Sequence, residues 1–159
     1  MRKNLIFLFG AENMKKIEII ILKNENEYRI FYEENFVGKD FFLGDISVSF
    51  SKEDFNHIFF EPNQENRRSF SSRRAKRMLF IKEILSGDLN IELMYQEDRG
   101  TFAIFCFDLE CVVYLRSRTG SGKLQIGTFF DFGKKHKEMY LKQKKKCIEI
   151  TLHGIKDKL

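Results

Sequence analysis

Four side chains in this chain are of types that could act together on a phosphodiester: His57, Arg74, Lys82 and Thr128. His57 follows Asp54 by three residues and directly precedes Ile58, Phe59 and Phe60, a run that would partly shield its ring. An imidazole that titrates near neutral pH can take or give a proton at a reacting oxygen. The structural alternative is a core histidine bonded to backbone. Arg74 and Lys82 stand out by helical phase. At about 100° per residue, Ala75, Met78, Leu79, Ile81 and Leu85 fall on one arc, and Arg73, Lys76, Arg77 and Glu83 on the opposite one. Arg74 falls between Ile81 and Leu85, and Lys82 between Ala75 and Met78. A cation on such a stripe must be paired, snorkel to its edge, or line a cleft where it meets an anion. Thr128 is the polar member of the alternating set Leu124, Ile126, Thr128 and Phe130. Its hydroxyl could position a phosphate, or it could be an ordinary strand residue.

Further cations are available for a polyanion. Arg73 and Arg77 lie on the same helix, Arg116 and Arg118 flank a Gly-rich turn, and Lys134 and Lys135 precede His136 in a basic run. Each has a plain reading as solubilising charge. Tyr95, at the end of its strand, is similarly open. There is no HExxH, no spaced Asp/Glu/His set and no Walker loop. Gly120-x-Gly122-Lys123 belongs to a hairpin turn. A nuclease built from these residues would therefore use no metal or other cofactor. The ribose 2′-hydroxyl would attack, one side chain would take its proton, another would protonate the leaving oxygen, and cations would hold the phosphorane charge.

These residues need elements to position them. The apolar run 16–22, the polar turn 24–27 and the alternation from Tyr28 to Tyr32 read as a β-hairpin. The alternation of Ile46, Val48 and Phe50 reads as a third strand over 45–50. Ser51 then caps a short helix carrying His57, ended by Pro62. Ser71 or Ser72 caps the helix 73–85, and Ser86-Gly87 stops it. Period two follows in 89–95, 101–107, 111–115 and 124–130, with Thr119-Gly120-Ser121-Gly122 as the tightest turn. The expectation is an α+β fold: an antiparallel four-stranded sheet with a packed helix, preceded by an N-terminal β-hairpin region. A basic helix over 134–145 and a short strand over 147–152 would close it.

The chain has 159 residues, 43% of them hydrophobic and 18 of them Phe, enough for one domain with a real core. Met14 followed by Lys15 and Lys16 could be the true start. That would leave residues 1–13 as a poorly anchored upstream extension and 14–159 as the domain. Residues 1–65 carry 8 Lys/Arg against 12 Asp/Glu, a net −4, while 66–159 carry 20 against 11, a net +9. A basic half suits a phosphate-rich partner such as RNA. Cys106, Cys111 and Cys147 form no CxxC pair, and their odd number fits reduced thiols in a cytoplasm. The apolar run 5–10 is too short to span a bilayer, so no membrane association is expected.

The order of these features resembles the phage-associated members of the barnase–EndoU–colicin E5/D–RelE-like nuclease superfamily. The likeness covers roughly residues 46–132: a helix with His57, a polar loop, the Arg73–Leu85 helix, four antiparallel strands and the closing Ile126-Gly127-Thr128-Phe129-Phe130. Phe80 stands where members often carry Trp. The resemblance implies a metal-independent endoribonuclease of mobile-element or toxin type, with a possible protein inhibitor. It implies His57 as acid or base, Arg74 or Arg73 and Lys82 as phosphate-binding cations, and Thr128 as a positioning hydroxyl. The alternatives are a non-catalytic RNA- or DNA-binding module and an interaction protein. Residues 14–45 lie outside the resemblance.

Overall fold

The computed structural model describes residues 15–118, 121–131, 138, 140–142, 144, 145 and 147–159, together with 2–8; for 2–8, 15 and 16 it describes the backbone alone. The order of elements is β1 (Arg2–Leu8), β2 (Lys15–Ile21), α1 (Glu25–Asn35), β3 (Phe41–Leu43), β4 (Ile46–Ser49), α2 (Asp54–Phe59), β5 (Phe60–Pro62), β6 (Arg68–Phe70), α3 (Ser72–Ala75), α4 (Leu79–Ser86), β7 (Ile91–Gln96), β8 (Thr101–Cys106), β9 (Cys111–Arg118), β10 (Lys123–Asp131), β11 (Ile148–Glu149) and a closing 3₁₀ helix, His153–Lys158. The described residues between 138 and 144 are helical.

The class is α+β, but the sheet is not the expected one. Seven strands form a curled, mixed sheet in the order β11-β7-β8-β9-β10-β4-β3. The antiparallel meander β7–β10 is its centre. β4 joins β10 in parallel, through Leu124↔Val48 and Gln125↔Ser49, and β3 extends that edge. Alternation marks β4 as a strand, yet nothing local to it names a partner some 75 residues away, which is how the four-stranded expectation fell short.

The expected N-terminal hairpin is also replaced. β2 pairs with β1, not with residues 28–32. The segment read as a second hairpin strand is α1. Tyr28, Tyr32 and Phe36 recur every fourth residue and are all buried, so the apolar spacing is helical as well as alternating. Capping decides between the two readings. The Asn24 side chain accepts from the Glu27 N–H at 3.0 Å, an orphan donor of the first turn, and the Glu27 carboxylate reaches back to accept from the Lys23 N–H, just before the cap, at 3.1 Å.

The expected helix 73–85 is two helices. Between them the chain tightens into i→i−3 bonds, Arg77 N to Arg74 O at 3.0 Å and Met78 N to Ala75 O at 3.2 Å. The Lys76 carbonyl instead accepts from Ile20 N at 2.9 Å and so docks β2. Gly87, with φ +76°, ends α4 in the left-handed conformation.

Nearly all the apolar burial lies on one sheet face, beneath β2, α1, α2 and α4. A small second cluster on the other face joins Met94, Ala103, Phe105 and Val112 to Tyr140. This second face carries the candidate site.

Candidate functional site

Strand alternation places Thr101 and Ala103 of β8 and Tyr114 and Arg116 of β9 on the second face, because Phe102, Ile104, Val113 and Leu115 enter the main core. On β10 the phase changes. Leu124 and Ile126 face the main core, but the register slips between Ile126 and Thr128, so Thr128 pairs with Tyr114 and Phe130 reaches the second face. The four-residue alternating face read from the sequence is thus split by a bulge at Gly127. A Cβ on Gly127 would lie 3.1 Å from the Tyr114 carbonyl oxygen, 3.5 Å from Arg116 Nε and 3.7 Å from Arg116 Cγ. Only the carbonyl contact is tight, so the glycine serves the close approach of β10 to the β9 backbone, with the Arg116 side chain lying alongside.

The outcome is a cleft of about 430 Å³ lined by His57, Gln96, Arg99, Thr101, Tyr114, Arg116, Gly127, Thr128 and Phe130. Tyr114 is central. Its register partners are Ala103 on one side and Thr128 on the other, both smaller than the ring. Tyr114 and Phe130 stack with centroids 5.7 Å apart at 26°. Arg116 sits opposite Thr101 in the ladder, and Arg99 comes from the β7–β8 turn, so two guanidinium groups border the aromatic floor.

The fourth wall is α2, fixed to β10 at two points. The buried Asp54 carboxylate accepts from Ser51 N at 2.7 Å, Ser51 Oγ at 3.0 Å and, through its other oxygen, Gln125 Nε2 at 3.0 Å. Ser51 therefore opens α2 as a donor to Asp54, not as the acceptor a serine cap usually provides. The Thr128 hydroxyl donates to the His57 carbonyl at 3.3 Å. Arg68 donates to the carbonyls of Asn56, His57 and Phe60 at 3.2, 3.3 and 3.1 Å and closes the C-terminal end of α2. The His57 backbone is held from both sides, while its side chain is exposed on the cleft rim.

Of the residues singled out in the sequence, His57, Thr128 and Arg116 meet in this cleft. Arg74 lies next to it, its guanidinium 5.7 Å from the Phe130 ring centroid. Glu61 Oε2 lies 3.1 Å from Arg74 Nε and 3.3 Å from Arg73 Nη2. The Asp131 Oδ2 receives Arg73 and, at 3.1 Å, Arg77. Arg73, Arg74 and Arg77 are therefore already facing carboxylates. Burial draws the Arg74 guanidinium below its ordinary pKa, against the pull of Glu61. Lys82 is elsewhere: its ammonium rides over the Phe36 and Phe41 rings at 5.0 and 5.7 Å and lines a separate depression with Phe42 and Leu85. Burial, then the Lys39 charge, lowers its pKa. Arg118 is exposed at the end of β9. Tyr95 packs on Phe102 at 4.8 Å, with Lys158 Nζ 5.3 Å from its ring. Lys134, Lys135 and His136 lie outside the described residues.

The sequence reading passed over Gln96, Arg99, Thr101 and Tyr114. Gly127 was the available signal: an isolated glycine inside a strand pattern marks a bulge or a close approach, and bulges gather beside functional sites. Among the described residues, no three His, Cys, Asp or Glu side chains are grouped to hold a metal ion. Among them, too, no helix is long and apolar enough to cross a membrane. Comparison with protein-family models, with curated proteins and with solved structures found no match.

Proposed function

We propose that the second-face cleft binds RNA and cleaves it without a metal ion. The carrying observation is the convergence of one imidazole, one phenol and two guanidinium groups on an aromatic floor within a single concavity. The sequence-level resemblance to metal-independent ribonucleases supports the same reading. In the reaction His57 takes the proton of a 2′-hydroxyl, the new O2′–P bond forms as the P–O5′ bond breaks, and the Tyr114 phenol gives its proton to the leaving O5′. Arg116 and Arg99 offset the charge of the phosphorane. Products would be a 2′,3′-cyclic phosphate and a 5′-hydroxyl. Thr128 acts indirectly, since its hydroxyl holds the His57 carbonyl. A cytoplasmic setting fits the three free cysteines, and a protein inhibitor of a toxin-like enzyme would have to cover this cleft.

Incubation with single-stranded RNA in EDTA tests the proposal. The wild type is expected to yield cyclic phosphate ends, with His57→Ala slower by roughly 10²-fold or more. Intact RNA with the wild type would exclude the enzymatic reading. One observation favours the second reading, a binding module without catalysis: the His57 side chain is exposed on the cleft rim, where no wall of the cleft shields it from water. That reading predicts salt-sensitive binding and no cleavage.

A further inference from the structure

Beside the cleft, three guanidinium groups converge on two carboxylates in an arrangement that serves neither sign well. Glu61 uses one oxygen, Oε2, for both Arg73 and Arg74, and Asp131 uses one oxygen, Oδ2, for both Arg73 and Arg77. Arginine binds oxyanions most strongly as a two-pronged fork, and none of these four contacts adds a second oxygen. Glu61 Oε2 is 3.1 Å from Arg74 Nε, but the buried Nε–H makes no hydrogen bond among the described residues; Asp131 Oδ1 is likewise buried and unbonded. The set carries three positive charges against two negative.

The two carboxylates differ in how firmly they are placed. Asp131 belongs to β10, within the main sheet, and its side chain is 13% exposed. Glu61 is the middle residue of β5, one of two three-residue strands that pair only with each other, and its side chain is 31% exposed. Arg74 reaches from this cluster to the ring of Phe130, which lines the cleft.

We infer that Arg73 and Arg74 form a second phosphate site, next to the cleft, in which the Glu61 carboxylate occupies the place of a phosphate group. Glu61 Oε2 stands in for a phosphate oxygen shared between the two guanidinium groups. A phosphate offers further oxygens to the Arg74 Nε–H that Glu61 leaves unbonded. The inference rests on the proposed polyanion reading for its biological ligand, but the anion site itself does not depend on RNA being cleaved. Glu61 is then a built-in competitor: it keeps the arginines assembled, and it yields to an incoming phosphate that its negative charge also repels.

The test titrates inorganic pyrophosphate into wild type, Glu61→Gln and the double variant Glu61→Gln/Arg74→Ala by calorimetry, with melting curves to confirm folding. Glu61→Gln should bind pyrophosphate roughly two- to fivefold more tightly than wild type, the range set by loss of a partly exposed ion pair. The double variant should lose that gain. On His57→Ala protein, which keeps RNA intact, Glu61→Gln should also steepen the salt dependence of single-stranded RNA binding by about 0.7 in log–log slope for the added contact. Unchanged or weaker pyrophosphate binding by folded Glu61→Gln overturns the inference, whatever happens to RNA. A pyrophosphate gain that Arg74→Ala removes upholds the anion site even where no RNA binds, and in that case it is the RNA reading that falls. Should Glu61→Gln not fold, the Arg74 Nε–Hε NMR signal of the wild type decides: a saturable shift with pyrophosphate beyond that with chloride at equal ionic strength upholds the site, and none overturns it.

Discussion

Gly127 separates two roles of β10. Before it, Leu124 and Ile126 belong to the main core; after it, Thr128 and Phe130 face the cleft. A methyl group there would press on the Tyr114 carbonyl at 3.1 Å and only touch the Arg116 side chain. The carbonyl belongs to a paired strand and cannot retreat cheaply, so β10 itself would have to shift by a few tenths of an ångström, moving Thr128 and Phe130 with it. Gly127→Ala is therefore expected to lower stability by about 1–3 kcal/mol, the usual range for overpacking, and to weaken RNA binding more than loss of stability alone explains. Urea melts paired with RNA titration below the transition would check this. Full RNA affinity in the folded variant would show that the cleft does not depend on the close approach of β10 to Tyr114. At this scale part of the cleft lining was readable: His57 and Thr128 approach one another, though through the His57 carbonyl and not its ring, while Arg99 and Tyr114 carried no mark of their own in the sequence. Lys82 was not, because helical phase shows only that a cation sits on an apolar stripe. Two rings to receive it, Phe36 and Phe41, lie in parts of the chain that the phase of α4 says nothing about.

Among the elements, α1 shows where local pattern gives two answers. Tyr28, Ile30 and Tyr32 alternate as a strand would, but Tyr28, Tyr32 and Phe36 also repeat every four residues. The structure buries the second set and leaves Ile30 half exposed. Tyr28 donates to the Ile20 carbonyl at 3.1 Å and Tyr32 to the Ser51 carbonyl at 2.9 Å. Burial, with the charges of Asp54 and Glu53, pushes the Tyr32 phenol well above its ordinary pKa and keeps it a donor. The helix thus joins β2 to the start of α2, the element that carries His57. Asn24→Ala removes the cap and should cost about 1 kcal/mol, seen as a lower urea midpoint with unchanged slope. A neutral result would mean that tertiary contacts alone set the start of α1. The meander β7–β10 was legible because its turns and alternation agree. The mixed sheet was not, because a parallel partner such as β4 is chosen by packing across many intervening residues, and that choice leaves no local mark.

For the molecule as a whole, the curled sheet needs something to hold its two ends. β11 lies at one edge and β3 at the other, yet the chain leaving β11 passes Leu152 within 3.8 Å of where a Cβ on Gly44 would stand, at the β3–β4 turn. The closing 3₁₀ helix then places Lys156 2.8 Å from Asp45 and Lys158 3.4 Å from Glu97. Those ion pairs are largely exposed, and pairs of that kind contribute little. Ile155, fully buried in the main core, is the stronger tie. Ile155→Ala should destabilise the protein by roughly 2–4 kcal/mol, as truncation of a buried aliphatic side chain does, whereas Lys156→Ala should leave the melting temperature nearly unchanged. The effect should also be shared by both edges of the sheet. Hydrogen exchange on the variant should show the amides of β3–β4 and of β7 losing protection together, since the strap spans them both. Loss confined to residues 148–159 would show instead that the terminal segment merely lies on a sheet that holds its own curl, and that the cleft on the second face does not depend on it.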